Sequence, residues 1–500
     1  MHTKMDSIQL QQQNLEELSN KISVPKYNRD SSKCGIVHIG VGGFHRSHEA
    51  YYTHKLLGAM PEANWGICGI GLRENDRKIA EIFTEQDCLY TLICRHPNGT
   101  IENEVIGSIL DYILAIDQPK KAIAKMADES TKIVSLTITE GGYNINAAGE
   151  FDFNNPDVVH DIENPDQPKT VFGFLSAALL KRKEKNLPAF TVMSCDNVEH
   201  NGNVAKFVLQ SFVEKQNPEL ASWIKENVSF PNSMVDRITP VTTQKDLDHM
   251  QDSLGIKDQW PVTCEPFIQW VIEDDFSDGR PPFEKVGVQF VPDVTPYEKM
   301  KLRLLNAGHS VLGIPGAIQG HPTINACMQD KVFSLFMRKF MDIEATPTLD
   351  RVQGINLEEY KDSLEERFAN PNIKDSVARI CSESSAKLPK FIIPTINENL
   401  KNNGSIEFAA LIVASWCYYS DRQINKNGEP LEIIDALGDQ LHNYASGSDK
   451  DPLKFLQLTE IFGDLKSNGR FTARFGFFVD QLHKNPNVRE LMEKVLSETE

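Results

Sequence analysis

Short apolar runs alternate with helix-like segments in the first half of the chain. The runs have the length of β-strands, are rich in β-branched residues and are bounded by Gly, Pro or Asp. They are residues 35–40, 65–72, 89–94, 132–140, 190–195 and 286–291. Helical patterns at residues 46–59 and 171–185 lie between some of them. This alternation is typical of βαβ units, so we predict an α/β domain with a mostly parallel sheet.

Longer segments with helical periodicity dominate the chain from residue 297 onward. They are residues 297–312, 332–341, 357–368, 406–419 and 481–496. The second half is therefore predicted to be mainly α-helical. The change of pattern near residues 293–296 gives three expected segments. These are a polar, loosely ordered lead-in at residues 1–33, the α/β domain at 34–294 and the helical domain at 295–500.

Composition narrows the class of protein. A chain of 500 residues, 40% hydrophobic and 24% charged, can bury two large cores. Its formal net charge of -18 argues against a nucleic-acid partner, because nucleic-acid binders cluster Lys and Arg where the phosphates lie.

The nine cysteines are scattered and form no C-x-x-C motif, which argues against a disulfide framework and against a zinc ribbon. We expect a cytoplasmic protein without a membrane segment, since no secretion signal is visible and the longest apolar run, 408–419, is too short to span a bilayer.

A glycine-rich sequence follows the first predicted strand and precedes a helix-like segment. In Gly40-Val41-Gly42-Gly43, backbone N–H groups can approach a pyrophosphate because no side chain blocks the way. The third glycine of the G-x-G-x-x-G motif is replaced by His45. The sequence is compatible with a dinucleotide-binding loop or an ordinary glycine-rich turn, and its place in an α/β region favours the dinucleotide.

Asp76 follows the second predicted strand, where dinucleotide-binding domains place a carboxylate that accepts hydrogen bonds from a ribose. A carboxylate there repels a 2′-phosphate, which favours NAD over NADP. The spacing from the glycine loop is longer than usual, and a helix N-cap is an equally good interpretation of Asp76.

The helix predicted from residue 297 has an apolar stripe and a polar face. The stripe is Met300, Leu304, Ala307 and Val311. The opposite face carries Glu298, Lys301, Asn306 and His309. Because Leu302 and Leu305 interleave with that face, we expect Lys301 to be desolvated, to have a lowered pKa and to act as a general base for an alcohol. Asn306 can donate to the oxygen that develops charge, and His309 can orient the substrate. The alternative is an ordinary solvated face.

Two further features bear on the chemistry. Asn197 follows the predicted strand 190–195, and ligands of open α/β sheets lie beyond the carboxyl ends of strands, although Asn197 alone would be interpreted as a turn residue. The His45-x-x-His48 spacing could suggest a metal pair, but no cysteine or third ligand lies nearby in the sequence. We therefore expect no metal site.

Several sequence blocks resemble one enzyme family. They are IVHIGVGGFHRSH, SLTITEGGY, FTVMSCDN, MVDRITP, EPFIQWVIED and YEKMKLRLLNAGHS. In this order, and over nearly the whole chain after the lead-in, they resemble the polyol-specific long-chain dehydrogenases. The resemblance implies a Rossmann-type N-terminal domain, a mainly helical C-terminal domain, no catalytic metal, and the interconversion of D-mannitol and D-fructose with NAD.

The resemblance also implies roles for individual residues by motif position. Lys301 matches the general base, and Asn197 and Asn306 match a pair that stabilises the oxyanion. His309 matches a residue that orients the substrate. Glu298 falls where the family has a carboxylate near the lysine, which would pass the proton to solvent.

Further motif positions match binding residues of the family. Arg379 and Lys387 match substrate contacts, and Val235 and Asp236 match a segment that lines the cofactor. The expected cofactor-binding residues at the glycine loop and the second strand are Ile36, Val37, His38, Ile39, Gly40, Val41, Gly42, Gly43, Phe44, His45, Arg46, Ser47 and Asp76. The family often has two adjacent acids at the ribose, whereas this chain has Asn75-Asp76, which leaves the preference for NAD less strict.

Two other functions remain open from the sequence. A hexuronate reductase acting on fructuronate and mannonate resembles the same blocks, but its substrate carboxylate needs an extra cation in the pocket. A protein that senses NAD without turning over a substrate would need the glycine loop but not the lysine cluster. The sequence leaves the oligomeric state open, and a monomer is compatible with it.

Overall fold

The computed structural model describes residues 7–146, 148–373 and 375–499. Backbone contacts divide the chain into two compact units, Met1–Thr295 (unit 1) and Pro296–Glu500 (unit 2). In the described part of the chain, no helix is both long and apolar enough to cross a membrane.

Unit 1 contains strands and helices in alternation. Its strands are β1 (Ile8–Gln9), β2 (Cys34–Ile39), β3 (Gly66–Gly71), β4 (Tyr90–Arg95), β5 (Ile101–Ile106), β6 (Ile109–Leu114), β7 (Ile133–Leu136), β8 (Thr191–Ser194), β9 (Ser233–Asp236), β10 (Ile256–Lys257), β11 (Val262–Cys264), β12 (Gln269–Glu273) and β13 (Gln289–Val291). Its helices are α1 (Leu15–Leu18), α2 (Gly43–Ser47), α3 (Glu49–Ala59), α4 (Arg77–Glu85), α5 (Pro119–Met126), α6 (Pro156–Glu163), α7 (Val171–Glu184), α8 (Asn201–Gln216), α9 (Pro218–Asn227) and α10 (Gln244–Asp248).

A five-stranded parallel sheet with the order β6-β3-β2-β7-β8 forms the centre of unit 1. Strand β2 lies in the middle and its side chains alternate between the two faces: Val37 and Ile39 enter one core cluster and Ile36 the other. Because both faces are covered, the strands are continuous apolar runs without polar alternation. The order is that of dinucleotide-binding sheets, with the switch point between β2 and β7. The predicted α/β domain with a parallel sheet is confirmed.

Three smaller sheets surround the central one. Their orders are β11-β4-β5, β13-β12-β9 and β1-β10. Strand β4, from the predicted run 89–94, therefore lies outside the parallel sheet and pairs antiparallel with β5. Residues 283–286 of unit 1 form a turn of 3-10 helix, so the run predicted at 286–291 is a strand only at its end, in β13.

The N-terminal segment is packed, not loose. Leu10 and Leu18 are fully buried and Ile22 is nearly so, and all three belong to one core cluster. The Arg29 guanidinium donates to the carbonyl oxygens of Gly107, Asp87 and Ile109 at 2.9, 2.6 and 2.9 Å. The expectation of a loosely ordered lead-in is thus wrong for residues 7–33, because a few apolar residues among many polar ones suffice to anchor it. Residues 1–6 of that expectation lie outside the described residues.

Unit 2 is mainly helical, as predicted. Its helices are α11 (Thr295–Lys301), α12 (Ala307–Gln319), α13 (Ile324–Gln329), α14 (Lys331–Phe340), α15 (Leu357–Phe368), α16 (Val377–Cys381), α17 (Ser384–Phe391), α18 (Ile393–Lys401), α19 (Glu407–Arg422), α20 (Gly438–Ala445), α21 (Thr459–Phe462), α22 (Gly469–Lys484) and α23 (Val488–Glu498). The predicted helix 481–496 is two helices, because Pro486 ends α22 before α23 begins.

Two helices of unit 2 run into π-helical turns: α14 does so at Met341–Ala345, and α11 does so after Lys301. Between α11 and α12, residues Leu302–Asn306 form a π-helical turn, so the segment predicted as a straight helix at 297–312 carries an extra residue in one turn. Glycines on α12 permit close packing: a Cβ on Gly313 would lie 2.9 Å from Ile380 of α16, and one on Gly308 would lie 3.1 Å from the Phe368 ring. These contacts position the π turn within unit 2.

Candidate active site

The glycine loop follows β2 at the switch point of the parallel sheet. Gly40 has φ +97°, and a Cβ there would lie 2.2 Å from the carbonyl oxygen of Thr137, so folding alone demands glycine at this position. Gly42 is different, since its φ is -99° and the nearest atom to an added Cβ is 3.9 Å away. The space beside Gly42 is left open, as close approach of a pyrophosphate to the backbone requires.

A buried polar network lies directly under the loop. The Glu49 carboxylate contacts Nδ1 of His38 at 3.0 Å, Nδ1 of His45 at 3.2 Å and the Ser135 hydroxyl, which donates at 2.9 Å. Burial alone would raise the pKa of Glu49, but the histidine hydrogen bonds hold it below its usual range. Nε2 of His38 reaches Oγ1 of Thr137 at 2.9 Å, and that hydroxyl donates to the Gly40 carbonyl at 2.7 Å. The network thus supports the loop from below.

His45 explains why the third motif glycine is missing. Its ring is buried and stacks on His38 with centroids 3.5 Å apart, and burial lowers its pKa to about 3. The side chain therefore packs downward as a neutral group and leaves the loop surface clear. The donor atoms of His38, His45 and Glu49 lie within 4.8 Å of one another, but both Nδ1 atoms already point at one Glu49 oxygen that a metal would have to displace. Nε2 of His48 contacts the Gln269 carbonyl instead, so His45 and His48 do not form a pair.

The remaining loop residues are structural in this geometry. The guanidinium of Arg46 is buried, lies over the Tyr90 and Trp260 rings and donates to the carbonyls of Gly42 and Trp260 at 3.3 and 2.5 Å. The Ser47 hydroxyl bonds to Phe44 and Thr239. The predicted helix 46–59 is broken at His48 into α2 and α3. The side chains of His38, His45, Arg46 and Ser47 therefore hold the loop in place.

Asp196 joins the ends of β7 and β8. Its carboxylate accepts from the backbone N–H groups of Ile138 and Thr139 at 3.1 and 2.8 Å and from the Tyr143 hydroxyl at 2.8 Å. Thr139 has φ 60° and ψ 170°, a conformation that β-branched residues rarely adopt. Asn197 follows Asp196 in a bend and is exposed. Strained backbone held by a buried carboxylate is typical of functional sites, and it lies next to the predicted Asn197.

The predicted ribose residue Asp76 has a structural task. Its carboxylate accepts from the backbone N–H of Arg73 at 2.9 Å and caps a 3-10 turn, which supports the N-cap interpretation without excluding the ribose. A cavity of about 520 Å³ opens beyond the carboxyl ends of β3 and β6, lined by Leu72, Arg73, Ala115 and Gly142 among others. The predicted Val235 and Asp236 end strand β9 and are buried.

The predicted catalytic residues of unit 2 frame the π turn. Lys301 ends α11 and is 8% exposed, and Glu298, one turn earlier, is 6% exposed. Asn306 closes the π turn. Its side-chain oxygen is buried without a hydrogen-bond partner among the described residues. This oxygen is therefore available to accept a hydrogen bond from a ligand.

The other predicted residues of unit 2 lie around the same helix. The His309 ring packs on Phe368 with centroids 4.2 Å apart. Helix α16, which carries Arg379, packs on α12, and α17, which carries Lys387, packs on the π turn. Arg379 is exposed and pairs with Asp375, while Nζ of Lys387 donates to the Ile380 carbonyl at 3.0 Å. Burial lowers the pKa of Lys387.

Comparison with known proteins now identifies the family. The Rossmann domain of mannitol dehydrogenases matches residues 34–285, and the mannitol dehydrogenase C-terminal domain matches residues 293–483. The chain belongs to the mannitol dehydrogenase family. The family resemblance predicted from the sequence blocks, and with it the Rossmann-type domain followed by a helical domain, is confirmed.

Individual relatives are similar over almost their whole length. A mannitol 2-dehydrogenase of Neosartorya fischeri is 44% identical over 479 residues, which cover 93% of this chain and 95% of the relative. Mannitol dehydrogenase 2 of Saccharomyces cerevisiae is 42% identical over 488 residues, covering 96% and 97%.

Two solved structures are similar in fold as well as in sequence. Pseudomonas fluorescens mannitol 2-dehydrogenase, in a ternary complex with NAD and D-mannitol, has a TM-score of 0.87 and 44% identity, and covers 98% of this chain and 100% of its own. A D-sorbitol dehydrogenase in substrate-free form has a TM-score of 0.89 and 37% identity, covering 97% and 100%.

Sequence reasoning missed the residues that support the site. The sequence predicted a role for Asn197 but none for Asp196 beside it. The only signal was its position, an acidic residue between a buried strand and a helix. The His38–Glu49 contact joins a strand to a helix, so no spacing rule reveals it. The π turn leaves no simple signature in the sequence.

Proposed function

We propose that this chain oxidises D-mannitol to D-fructose with NAD and catalyses the reverse reduction. The observation that carries the proposal is the match in fold and sequence, over essentially both whole chains, to a mannitol 2-dehydrogenase whose structure contains NAD and D-mannitol. Both domains of the family are matched, so the similarity extends beyond a generic dinucleotide fold.

Unit 1 has the features that NAD binding needs. In the proposal, the pyrophosphate lies against the backbone at Gly42, where the nearest atom to an added Cβ is 3.9 Å away. The adenosine lies toward the cavity beyond β3 and β6, and Asp76, which caps the turn that begins at the cavity-lining Arg73, accepts from the ribose. Asp76 keeps a second acceptor oxygen for this purpose, because its cap uses one oxygen.

The chemistry is assigned to the lysine helix. When NAD is bound, its nicotinamide supplies the hydride acceptor. Neutral Lys301 takes the proton of the C2 hydroxyl, and buried Glu298 passes that proton onward. The Asn306 side-chain N–H donates to the oxygen as charge develops, and its buried Oδ1, which has no partner among the described residues, is left to accept from a substrate hydroxyl.

Four further residues complete the assignment. Asn197 is given the same oxyanion-stabilising role as Asn306, and His309, held against Phe368, orients the substrate. Arg379 and Lys387 bind the polyol hydroxyls. The reaction requires no metal in this scheme, because lysine takes the proton and amides stabilise the charge. Turnover measured well below the melting temperature is expected to be unchanged after dialysis against a chelator, and activity lost to the chelator in protein that is still folded and restored by zinc would contradict the scheme.

A panel of substrates tests the function. With purified protein and NADH, D-fructose reduction should be the fastest, and mannitol oxidation with NAD should give D-fructose as the product. D-sorbitol is the second candidate substrate, because the D-sorbitol dehydrogenase structure is as similar in fold as the mannitol enzyme. Mannonate and fructuronate are included to test the hexuronate alternative, and NADPH is included to test cofactor preference.

The outcomes separate these alternatives by their specificity constants. A kcat/KM for mannitol at least tenfold above those for D-sorbitol and mannonate supports the proposal. A higher kcat/KM for mannonate would assign the chain to hexuronates, and NADH binding without turnover of any substrate in the panel would reduce it to a dinucleotide-binding protein.

A further inference from the structure

A row of potential metal ligands crosses the three-stranded sheet β11-β4-β5, apart from the residues assigned to catalysis. Cys264 on β11 is the register partner of Cys94 on β4, and Glu102 on β5 is the partner of Cys94 on the other side. Register partners on neighbouring strands point to the same face of a sheet. The three side chains therefore lie side by side on one face.

His96 completes the row. It lies two residues after Cys94, which places it on the same face, and its backbone N–H donates to Thr100 at 2.9 Å, so the hairpin holds it in place. Its Nε2 atom lies 3.8 Å from the Cys94 sulfur and 3.2 Å from the nearer Glu102 oxygen. One ring nitrogen thus faces both a sulfur and a carboxylate oxygen.

The distances among the donor atoms of Cys94, His96 and Glu102 are those between ligands of a tetrahedral zinc site. With Zn–S bonds of about 2.3 Å and Zn–N or Zn–O bonds of about 2.0–2.2 Å, neighbouring donor atoms are roughly 3.2–3.8 Å apart. The donor atoms of Cys94, His96 and Glu102 all lie within 4.8 Å of one another. A mixed set of sulfur, imidazole and carboxylate ligands suits Zn²⁺ better than Mg²⁺ or Ca²⁺, which prefer oxygen.

We propose that Cys94, His96 and Glu102 bind one Zn²⁺ ion in a structural site that ties β4 to β5, with solvent in the fourth position and the Cys264 thiol on β11 hydrogen-bonded to the Cys94 sulfur. Cys94 is buried, whereas the side chains of His96 and Glu102 are 26% and 68% exposed. An ion can therefore enter from the carboxylate side and lose most of its water as it reaches the Cys94 sulfur. Binding releases the Cys94 thiol proton to solvent.

The proposal does not conflict with metal-free turnover, because Cys94, His96 and Glu102 do not belong to the residues assigned to substrate or proton transfer.

Metal binding itself is the test. Protein stripped with a chelator under reducing conditions is titrated with Co²⁺, whose visible spectrum shows tetrahedral geometry and thiolate ligation, and Zn²⁺ is then added to displace it. The expected result is one equivalent of Co²⁺ with a sulfur-to-metal charge-transfer band, displaced by one equivalent of Zn²⁺. The melting temperature should rise with Zn²⁺ concentration, as linkage requires.

Variants separate this site from adventitious binding. Glu102→Gln changes an exposed side chain and should weaken Co²⁺ binding at least tenfold. Glu62→Gln, at an exposed acid elsewhere in unit 1, is the control and should leave Co²⁺ binding unchanged.

Cys94→Ser should abolish the charge-transfer band, whereas the control Cys34→Ser should keep it. If Cys94→Ser does not fold, His96→Gln serves instead and should weaken binding in the same way. A wild-type protein without the band, or variants that bind like the wild type, would overturn the proposal.

Discussion

The glycine loop of unit 1 and the lysine helix of unit 2 differ in how far folding alone explains their residues. In the loop, Gly40 avoids a clash, His45 fills a buried network and Arg46 holds two carbonyls. In the lysine helix, a π turn interrupts regular geometry and the amide oxygen of Asn306 is buried without a partner among the described residues.

This difference shows where sequence motifs carry functional information. A loop whose residues are needed for folding can look like a binding motif whether or not a ligand is present. Buried polar atoms without a partner among the described residues occur in both regions, at Nε2 of His45 as well as at Oδ1 of Asn306, but the π turn, a feature frequent at functional sites, belongs to the helix alone. The chemical assignment therefore depends more on the lysine helix, and variants that separate folding from function can test this.

Replacing Lys301 should have the largest effect. Lys301→Ala removes the proposed base, so kcat should fall by about 10³-fold or more, whereas NADH binding, followed by fluorescence, should change less than about twofold. Lys299→Ala is the matched control, because Lys299 lies on the same helix and makes only peripheral ion pairs with Asp350 and Glu398 at 3.2 and 3.6 Å. Near-normal turnover in Lys301→Ala would remove Lys301 from the mechanism.

Replacing Asn306 should reduce kcat by about 10²–10³-fold, the range found for single oxyanion donors. Because its buried oxygen has no partner among the described residues, Asn306→Ala should leave the free energy of unfolding unchanged or raise it. Asn399→Ala should show the opposite pattern, since the buried Asn399 amide donates to the Glu344 carbonyl at 2.9 Å in a position remote from the π turn in sequence. Denaturant unfolding and initial rates measure the two effects; a destabilised Asn306→Ala would mean that Asn306 is structural.

The sequence predicted the elements that are buried on all sides and missed those that depend on distant partners. Strands β2 and β3 were visible because a parallel strand covered on both faces is a continuous apolar run. Strand β5, IENEVI, is half exposed and carries charges, so its pattern is weak. The N-terminal segment was misjudged because its anchors are single leucines among polar residues.

The same limit applies to the site. Sequence reasoning proposed Lys301, Asn306 and His309 from one helical face, since neighbours on a helix are close in sequence. The contact between Thr139 and Asp196 spans 57 positions, and the row from Cys264 to Cys94 and Glu102 crosses three strands. Such arrangements follow from strand order and register, which a single sequence does not reveal.

The two loop glycines should respond differently to alanine. Gly40→Ala combines φ +97° with a clash against Thr137, so unfolding free energy should fall by about 1–3 kcal/mol. Gly42→Ala has room in the free protein and should keep the wild-type melting temperature, but the added methyl occupies the space proposed for the pyrophosphate. Its KM for NAD should therefore rise about tenfold, on the order of a 1.4 kcal/mol loss. An unchanged KM in Gly42→Ala would place the pyrophosphate elsewhere.

The buried network under the loop should make unit 1 sensitive to mild acid. Burial lowers the pKa of His45 to about 3, so the folded state keeps this ring neutral while the unfolded chain, with a pKa of about 6.5, takes up a proton. The stabilisation that comes from a neutral His45 is thus complete above about pH 6.5 and is lost as the pH falls toward the folded pKa; at pH 5.5 the loss from this ring is about 1.4 kcal/mol.

His45→Asn should weaken the pH dependence of the melting temperature between pH 7.5 and 5.5, even if the variant is less stable throughout. If the melting temperature of His45→Asn changes with pH as steeply as that of the wild type, the loop tolerates a charged His45. Folding would then constrain this region less than its contacts suggest.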